Sequence, residues 1–142
     1  MKKIGIVILF SFLIFSFQTK KDEYIVVNQD SKFVESIKRG KDVYEDMCVS
    51  CHSGNGEGKR KAYPPLAKSD YLMKNREESI RAIKFGLKGK IIVNGVQYKR
   101  SMARLGLDND EVADVMNYIT NSWGNKNDKM ITEKEVENIS KE

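Results

Sequence analysis

The sequence predicts a small all-α domain with one minor β-hairpin. Three observations carry this. Apolar residues recur at helical spacing on both sides of the chain's middle, Asn, Asp or Thr stands three positions ahead of a Glu where helices would open, and a single Asn-Gly pair separates two short β-branched runs. The chain has 142 residues. With roughly the first twenty set aside as a targeting segment, about 120 remain, which is one domain's worth.

The chain opens on Lys2-Lys3, an apolar run from Ile4 to Phe17, and the polar Gln18-Thr19-Lys20-Lys21, the layout of a secretory signal. The run is short for the roughly 20 residues that span a bilayer, and no small-x-small cleavage site stands near Phe15 to Thr19. Residues 1–20 are expected to be a signal peptide or an uncleaved anchor. Either fate puts the domain in the periplasm or otherwise outside the cytoplasm, soluble or tethered. No cysteine follows the run, so a lipid has no acceptor there. Residues 21–30 read as a polar linker, 31–125 as the domain, and 126–142 as a charged tail with at most a short helix.

Phe33, Ile37, Gly40, Tyr44 and Met47 recur at steps of four and three, the stripe of an amphipathic helix that runs into Cys48. Ser53 to Gly58 holds three glycines in five residues and must be loop, followed by Pro64-Pro65. Ser69 can start a short helical turn through Met73. Asn75 with Glu78 predicts a capping box for a helix that Gly86 closes, with Ile80 and Ile83 to Phe85 inward. Ile91 to Val93, Asn94-Gly95 and Val96 to Tyr98 form the hairpin, because Asn-Gly supplies the positive φ of a type I′ turn. Asp108 with Glu111 caps a helix whose apolar face is Val112, Val115, Met116 and Ile119 and which should end near Trp123-Gly124. Thr132 with Glu135 is a third such signal, in a tail with few residues to bury.

Two cysteines and one histidine are the whole soft-ligand inventory, and all fall within Cys48-Val49-Ser50-Cys51-His52. Two thiols three positions apart on a helical turn face one way, so both can reach the vinyl groups of one porphyrin and form thioethers, while His52 meets the iron. Structural zinc needs four ligands, and no second Cys/His pair exists. A reactive dithiol belongs at a helix start after a strand, whereas this pair follows a helix. A disulfide here would close too short a loop to restrain the unfolded chain much. One covalent haem c on Cys48 and Cys51, with iron on His52, is therefore the expected cofactor.

His52 is the sole histidine, so the second axial ligand falls to a methionine thioether. Met1 lies in the signal, Met47 adjoins Cys48 on the wrong side, Met116 sits in a core stripe and Met130 in the tail. Met73 and Met102 remain, and Met102 occupies an irregular stretch between hairpin and capped helix from which it can swing over the haem. A soft, neutral thioether favours Fe(II) and raises the potential, and two protein ligands leave the iron no place for substrate. Electron transfer without substrate turnover is expected.

The pattern Gly40-x3-Tyr44-x3-Cys48-x2-Cys51-His52, then Pro64-Pro65-Leu66-Ala67, Met102, and Tyr118-x4-Trp123-Gly124-Asn125 resembles the class I c-type cytochromes over about Phe33 to Asn125. The order of Asn94-Gly95-x2-Tyr98, Met102, Leu107 to Ala113 and Asn121 to Asn125 is similar to the single-haem domain associated with copper nitrite reductases and other periplasmic oxidoreductases. The resemblance implies a cytochrome c fold in which the first and last helices cross near Gly40 and Tyr118 over one haem. It also implies that a backbone carbonyl of Pro64 or Pro65 accepts a hydrogen bond from His52 Nδ1 and fixes the ligating tautomer. The family's usual proline after the ligand methionine is replaced by Ala103, which predicts a less rigid loop.

Net charge is +5, yet Lys59 to Arg104 holds thirteen Lys/Arg against three Asp/Glu, while Leu105 to Gly124 holds four acids and no base. Lys59, Arg60, Lys61, Lys84, Lys88, Lys99 and Arg104 are expected to offer a basic docking surface to acidic redox partner proteins. A gas-binding or peroxidatic iron would want distal acid/base groups, and no second histidine supplies one. Nucleic acid is excluded as a partner, since an exported chain rarely meets it and basic residues are not interleaved with aromatics.

Overall fold

The structure, a computed structural model, describes the backbone of residues 20–141 and the side chains of 31–141. Apart from Lys20, the expected signal or anchor lies outside these residues. No helix among the described residues is long and apolar enough to cross a membrane. In order come α1 (Lys20–Met47), α2 (Val49–His52), α3 (Asp70–Lys74), α4 (Arg76–Phe85), β1 (Ile91–Val93), β2 (Val96–Tyr98), α5 (Asn109–Ile119) and α6 (Glu133–Glu137).

The chain divides into two compact units, one ending at Lys32 and one running from Phe33 to Glu142. In the first, the stretch read as a polar linker is helical from Lys20 onward. It contains neither Pro nor Gly, so nothing in it stops a helix.

The second unit is built on the crossing of α1 and α5. Gly40 makes it possible: a Cβ there would lie 1.9 Å from the carbonyl oxygen of Asp114 and 2.9 Å from Tyr118 Cβ, so only hydrogen fits. The contact is locked by polar groups that the apolar stripes did not reveal. Ser36 Oγ donates to Asp114 Oδ1 at 2.6 Å, Arg39 forks onto the same carboxylate, and Asn117 Nδ2 donates to Ser36 Oγ at 2.8 Å. Beside it Tyr44, Tyr118 and Trp123 form an aromatic triangle with centroids 4.9–5.5 Å apart. The core continues through Leu72, Ile80, Val112, Val115 and Met116.

Several ends differ from expectation. α5 stops at Ile119, not near Trp123, because Thr120, Asn121 and Ser122 each turn a side-chain donor back onto the carbonyls of Met116, Asn117 and Tyr118. The box expected at Asn75 does not form. Asn75 also ends α3, its amide donates to Tyr71 O at 2.9 Å, and Glu78 pairs with Arg81 instead. At Asp108 the capping box is complete, with Asp108 N–H donating to Glu111 Oε2 at 2.9 Å. The hairpin pairs Ile91 with Tyr98 and Val93 with Val96 about Asn94 and Gly95, both at positive φ.

The charged tail carries the short helix that Thr132 and Glu135 signal, the Thr132 side chain accepting from Glu135 N–H, and it packs more firmly than its few apolar residues suggest. Ile131 and Val136 are fully buried in the same core, and the Asn117 amide bonds both the N–H and the C=O of Ile131. Arg76 grips Glu135 from α4, and Lys84 Nζ donates to the carbonyls of Val136 and Ile139. Few apolar residues suffice because buried partners on α4 and α5 are waiting for them.

Candidate functional site

Tyr44 is the last buried residue of the α1 stripe, Met47 beyond it being exposed, and its hydroxyl donates to Ser53 O at 2.5 Å, drawing the chain back after the thiols. α1 itself stops at Met47. Cys48 stands at the junction and Cys51 and His52 lie in the separate turn α2, so the pair straddles a break where one continuous helix was expected.

Two adjoining cavities, of about 80 and 290 Å³, open beside this turn. Cys48, His52, Pro64, Leu87, Ile91 and Met102 line both, and Cys51 lines the larger. The smaller cavity has no charged side chain in its wall, and Arg100 is the one charged residue lining the larger. Arg100 also stacks on the Tyr63 ring, its guanidinium 4.6 Å from the centroid.

His52 is 9 % exposed, and burial lowers its pKa, only partly opposed by the hydrogen bond to Pro64. Its Nδ1 lies 3.0 Å from the Pro64 carbonyl oxygen. Burial, with the neighbouring Cys51 adding to it, pushes the Cys48 thiol up to about 11. A thiol so raised is a poor exchange nucleophile, which argues against Cys48 as the attacking member of a dithiol pair. Among the described residues no cluster of His, Cys, Asp or Glu could hold a metal on its own, so zinc has no site there.

Met102 comes to the cavities on a stretch tied by its backbone. Its N–H donates to Leu87 O and its C=O accepts from Leu87 N–H, both at 2.9 Å. Gly86 permits the approach, since a Cβ there would meet Met102 O at 2.8 Å. Of the other methionines, Met73 is 36 % exposed and lines neither cavity, Met116 is buried in the core, and Met47 touches only the larger. Pro65 lines the smaller cavity.

Lys84 leaves the expected basic set, because α6 and the turn after it consume its three protons. Lys59, Arg60, Lys61, Lys88, Lys99 and Arg104 are exposed. Sequence reasoning missed Ser69, Tyr71 and Ser79 in the cavity wall. For Ser79 a signal existed, since it stands four residues before Ile83 and so shares the inward face of α4.

Crossed helices around an apolar cavity, with two unpaired thiols and a neutral buried imidazole at its mouth, define the class of protein that tethers one haem covalently. The donor set fits that group: soft thiols for the edge, imidazole for the iron, hydrocarbon for the faces. Residues 37–123 match the cytochrome c family. The chain is 36 % identical over 102 residues to cytochrome c-552 of Thermus thermophilus, covering 66 % of this chain and 78 % of that protein. It is 29 % identical to the cytochrome c subunit of a quinone alcohol dehydrogenase from Gluconacetobacter polyoxogenes, over 68 % of this chain but 21 % of that protein. It is also 28 % identical to the cytochrome c subunit of a gluconate 2-dehydrogenase from Pantoea cypripedii, over 89 % of this chain and 31 % of that one. The chain belongs to the cytochrome c family and is a class I haem cytochrome carrying covalent haem c.

Proposed function

We propose that this chain is a single-haem electron carrier in which Cys48 and Cys51 form the thioethers, His52 and Met102 hold the iron from opposite faces, and no substrate is turned over. When bound, the haem supplies reversible exchange of single electrons. The observation that carries the reading is that Met102, alone among the described methionines, lines both cavities together with His52.

The chain's own groups support each role. With its proton on Nδ1, His52 donates a hydrogen bond to the Pro64 carbonyl oxygen, which leaves Nε2 as the free lone pair and holds the ring in one orientation. The paired backbone bonds to Leu87 hold Met102 at the cavity. With imidazole and thioether both in place, entry of other ligands is blocked.

Residues 1–20 are read as export signal or anchor, placing the domain in the periplasm or at a membrane face. Its partners are redox proteins with acidic docking surfaces, met by Lys59, Arg60, Lys61, Lys88, Lys99 and Arg104.

Met102→Ala tests the ligand assignment. The variant is expected to keep its haem through denaturation and acidified acetone, to show a lower reduction potential, and to bind carbon monoxide when reduced. An unaltered spectrum and potential would remove Met102 from the iron and move ligation to another residue.

A further inference from the structure

Ser79 is anomalous. It is 6 % exposed, it lines the smaller cavity from the middle of α4, and its Oγ is buried without a partner in the chain. Buried hydroxyls are nearly always bonded, and a serine in a helix interior usually turns to the preceding carbonyls if nothing better offers. Here it does not, although Thr120 and Ser122 do so at the end of α5. The Met102 thioether is not its acceptor, since no such bond forms either.

The surroundings narrow the choice. No Lys or Arg lines this cavity, and its other hydroxyls are Ser69, Tyr71 and Tyr44. Tyr44 is engaged with Ser53 O. Ser69 Oγ accepts from Leu72 N–H at 3.2 Å, which leaves its own proton to donate. Tyr71 has its pKa raised by burial and by the charge of Glu78, so its phenol stays a protonated donor. α3 and α4 therefore bring donors to a cavity that otherwise presents hydrocarbon. A porphyrin offers few acceptors once its ring nitrogens bind iron. Its rim carboxylates are the acceptors that remain.

We propose that Ser79 is a positioning residue for the cofactor, its hydroxyl donating a hydrogen bond to one rim carboxylate of the haem inside the protein. The inference rests on the covalent haem and not on the identity of the sixth ligand. Such a bond draws negative charge away from the iron's surroundings and so disfavours Fe(III); without it the oxidised form gains.

The test compares haem-loaded wild type, Ser79→Ala and Ser79→Thr by resonance Raman and by redox titration. Expected is a shift of the haem carboxylate-bending band in Ser79→Ala, a downward shift of potential, and return of both toward wild type in Ser79→Thr, which keeps the hydroxyl. The bands reporting iron ligation stay constant in all three, so a failure of the axial assignment would register separately. Carboxylate bands identical in wild type and Ser79→Ala would overturn the proposal. So would a higher thermal midpoint in Ser79→Ala without any spectral change, because removing an unpartnered hydroxyl from a helix stabilises it.

Discussion

Replacing Asn117 with alanine should do more damage than any other polar truncation in the domain. The amide is fully buried in α5 and serves three bonds: Nδ2 donates to Ile131 O and to Ser36 Oγ, each at 2.8 Å, and Oδ1 accepts from Ile131 N–H at 2.7 Å. In Asn117→Ala both backbone groups of Ile131 lose their partner while Ile131 stays at 0 % exposure. An orphaned buried group costs about 1–3 kcal/mol, so the pair amounts to about 2–6 kcal/mol. At about 4 °C per kcal/mol for a domain of this size, the thermal midpoint falls by roughly 8–24 °C. The assay is urea unfolding of the haem-loaded protein, with limited trypsin digestion at Lys126, Lys129 and Lys134. Faster cleavage there is expected, because Ile131 is where the terminal segment is fastened. A stability within about 0.5 kcal/mol of wild type, the range of an inconsequential surface substitution, together with unchanged digestion, would refute the account of the tail as part of the core.

Gly40→Ala places a Cβ against the Asp114 carbonyl oxygen, and because that atom is backbone the helices must part; a loss of about 1–3 kcal/mol or more is expected by thermal unfolding, and an unchanged midpoint would mean that the crossing is looser than described. Glu135 is held below its ordinary value of 4.5 chiefly by the hydrogen bond to Arg76. Its folded pKa is the lower one, so its contribution is full above 4.5 and fades as pH falls from there through the depressed value; Glu135→Gln should flatten this acid limb of a stability-pH curve, by about 1 kcal/mol for a pair that is only partly buried. Electron transfer to an acidic partner should slow steeply with rising salt, and Lys88→Glu or Arg104→Glu should weaken that slope whereas Lys84→Glu should chiefly destabilise the fold. A rate indifferent to ionic strength in stopped-flow measurements would remove the basic residues from docking.

What the sequence made legible follows from what local chemistry encodes. The thiol and imidazole cluster is contiguous, so its meaning needs no tertiary information. The helices around Tyr44, Ile80 and Val115 are periodic, and Asp108 with Glu111 marks its own boundary. The polar lock between Ser36, Arg39, Asp114 and Asn117 was not legible, because residues 75 or more positions apart in sequence meet only once the helices cross. The same blindness hid what fastens the tail, although its short helix was legible at Thr132 and Glu135. Ile131 and Val136 look too few to hold a helix when counted alone, and they become sufficient against Asn117, Arg76 and Lys84.

The Met102 segment shows the same substitution of distant for local control. Proline after the ligand methionine stiffens a loop by fixing one φ angle, and its absence at Ala103 suggested laxity. Yet a proline restrains its own residue, whereas the bonds to Leu87 restrain Met102 itself, taking both its N–H and its C=O. The close approach is allowed by Gly86, which closes α4, and α4 is in turn gripped by the terminal segment through Arg76 and Lys84. Stiffness that the family encodes in one residue is here distributed along a chain of contacts from the methionine to the C-terminus. The tail and the Met102 loop should therefore loosen together.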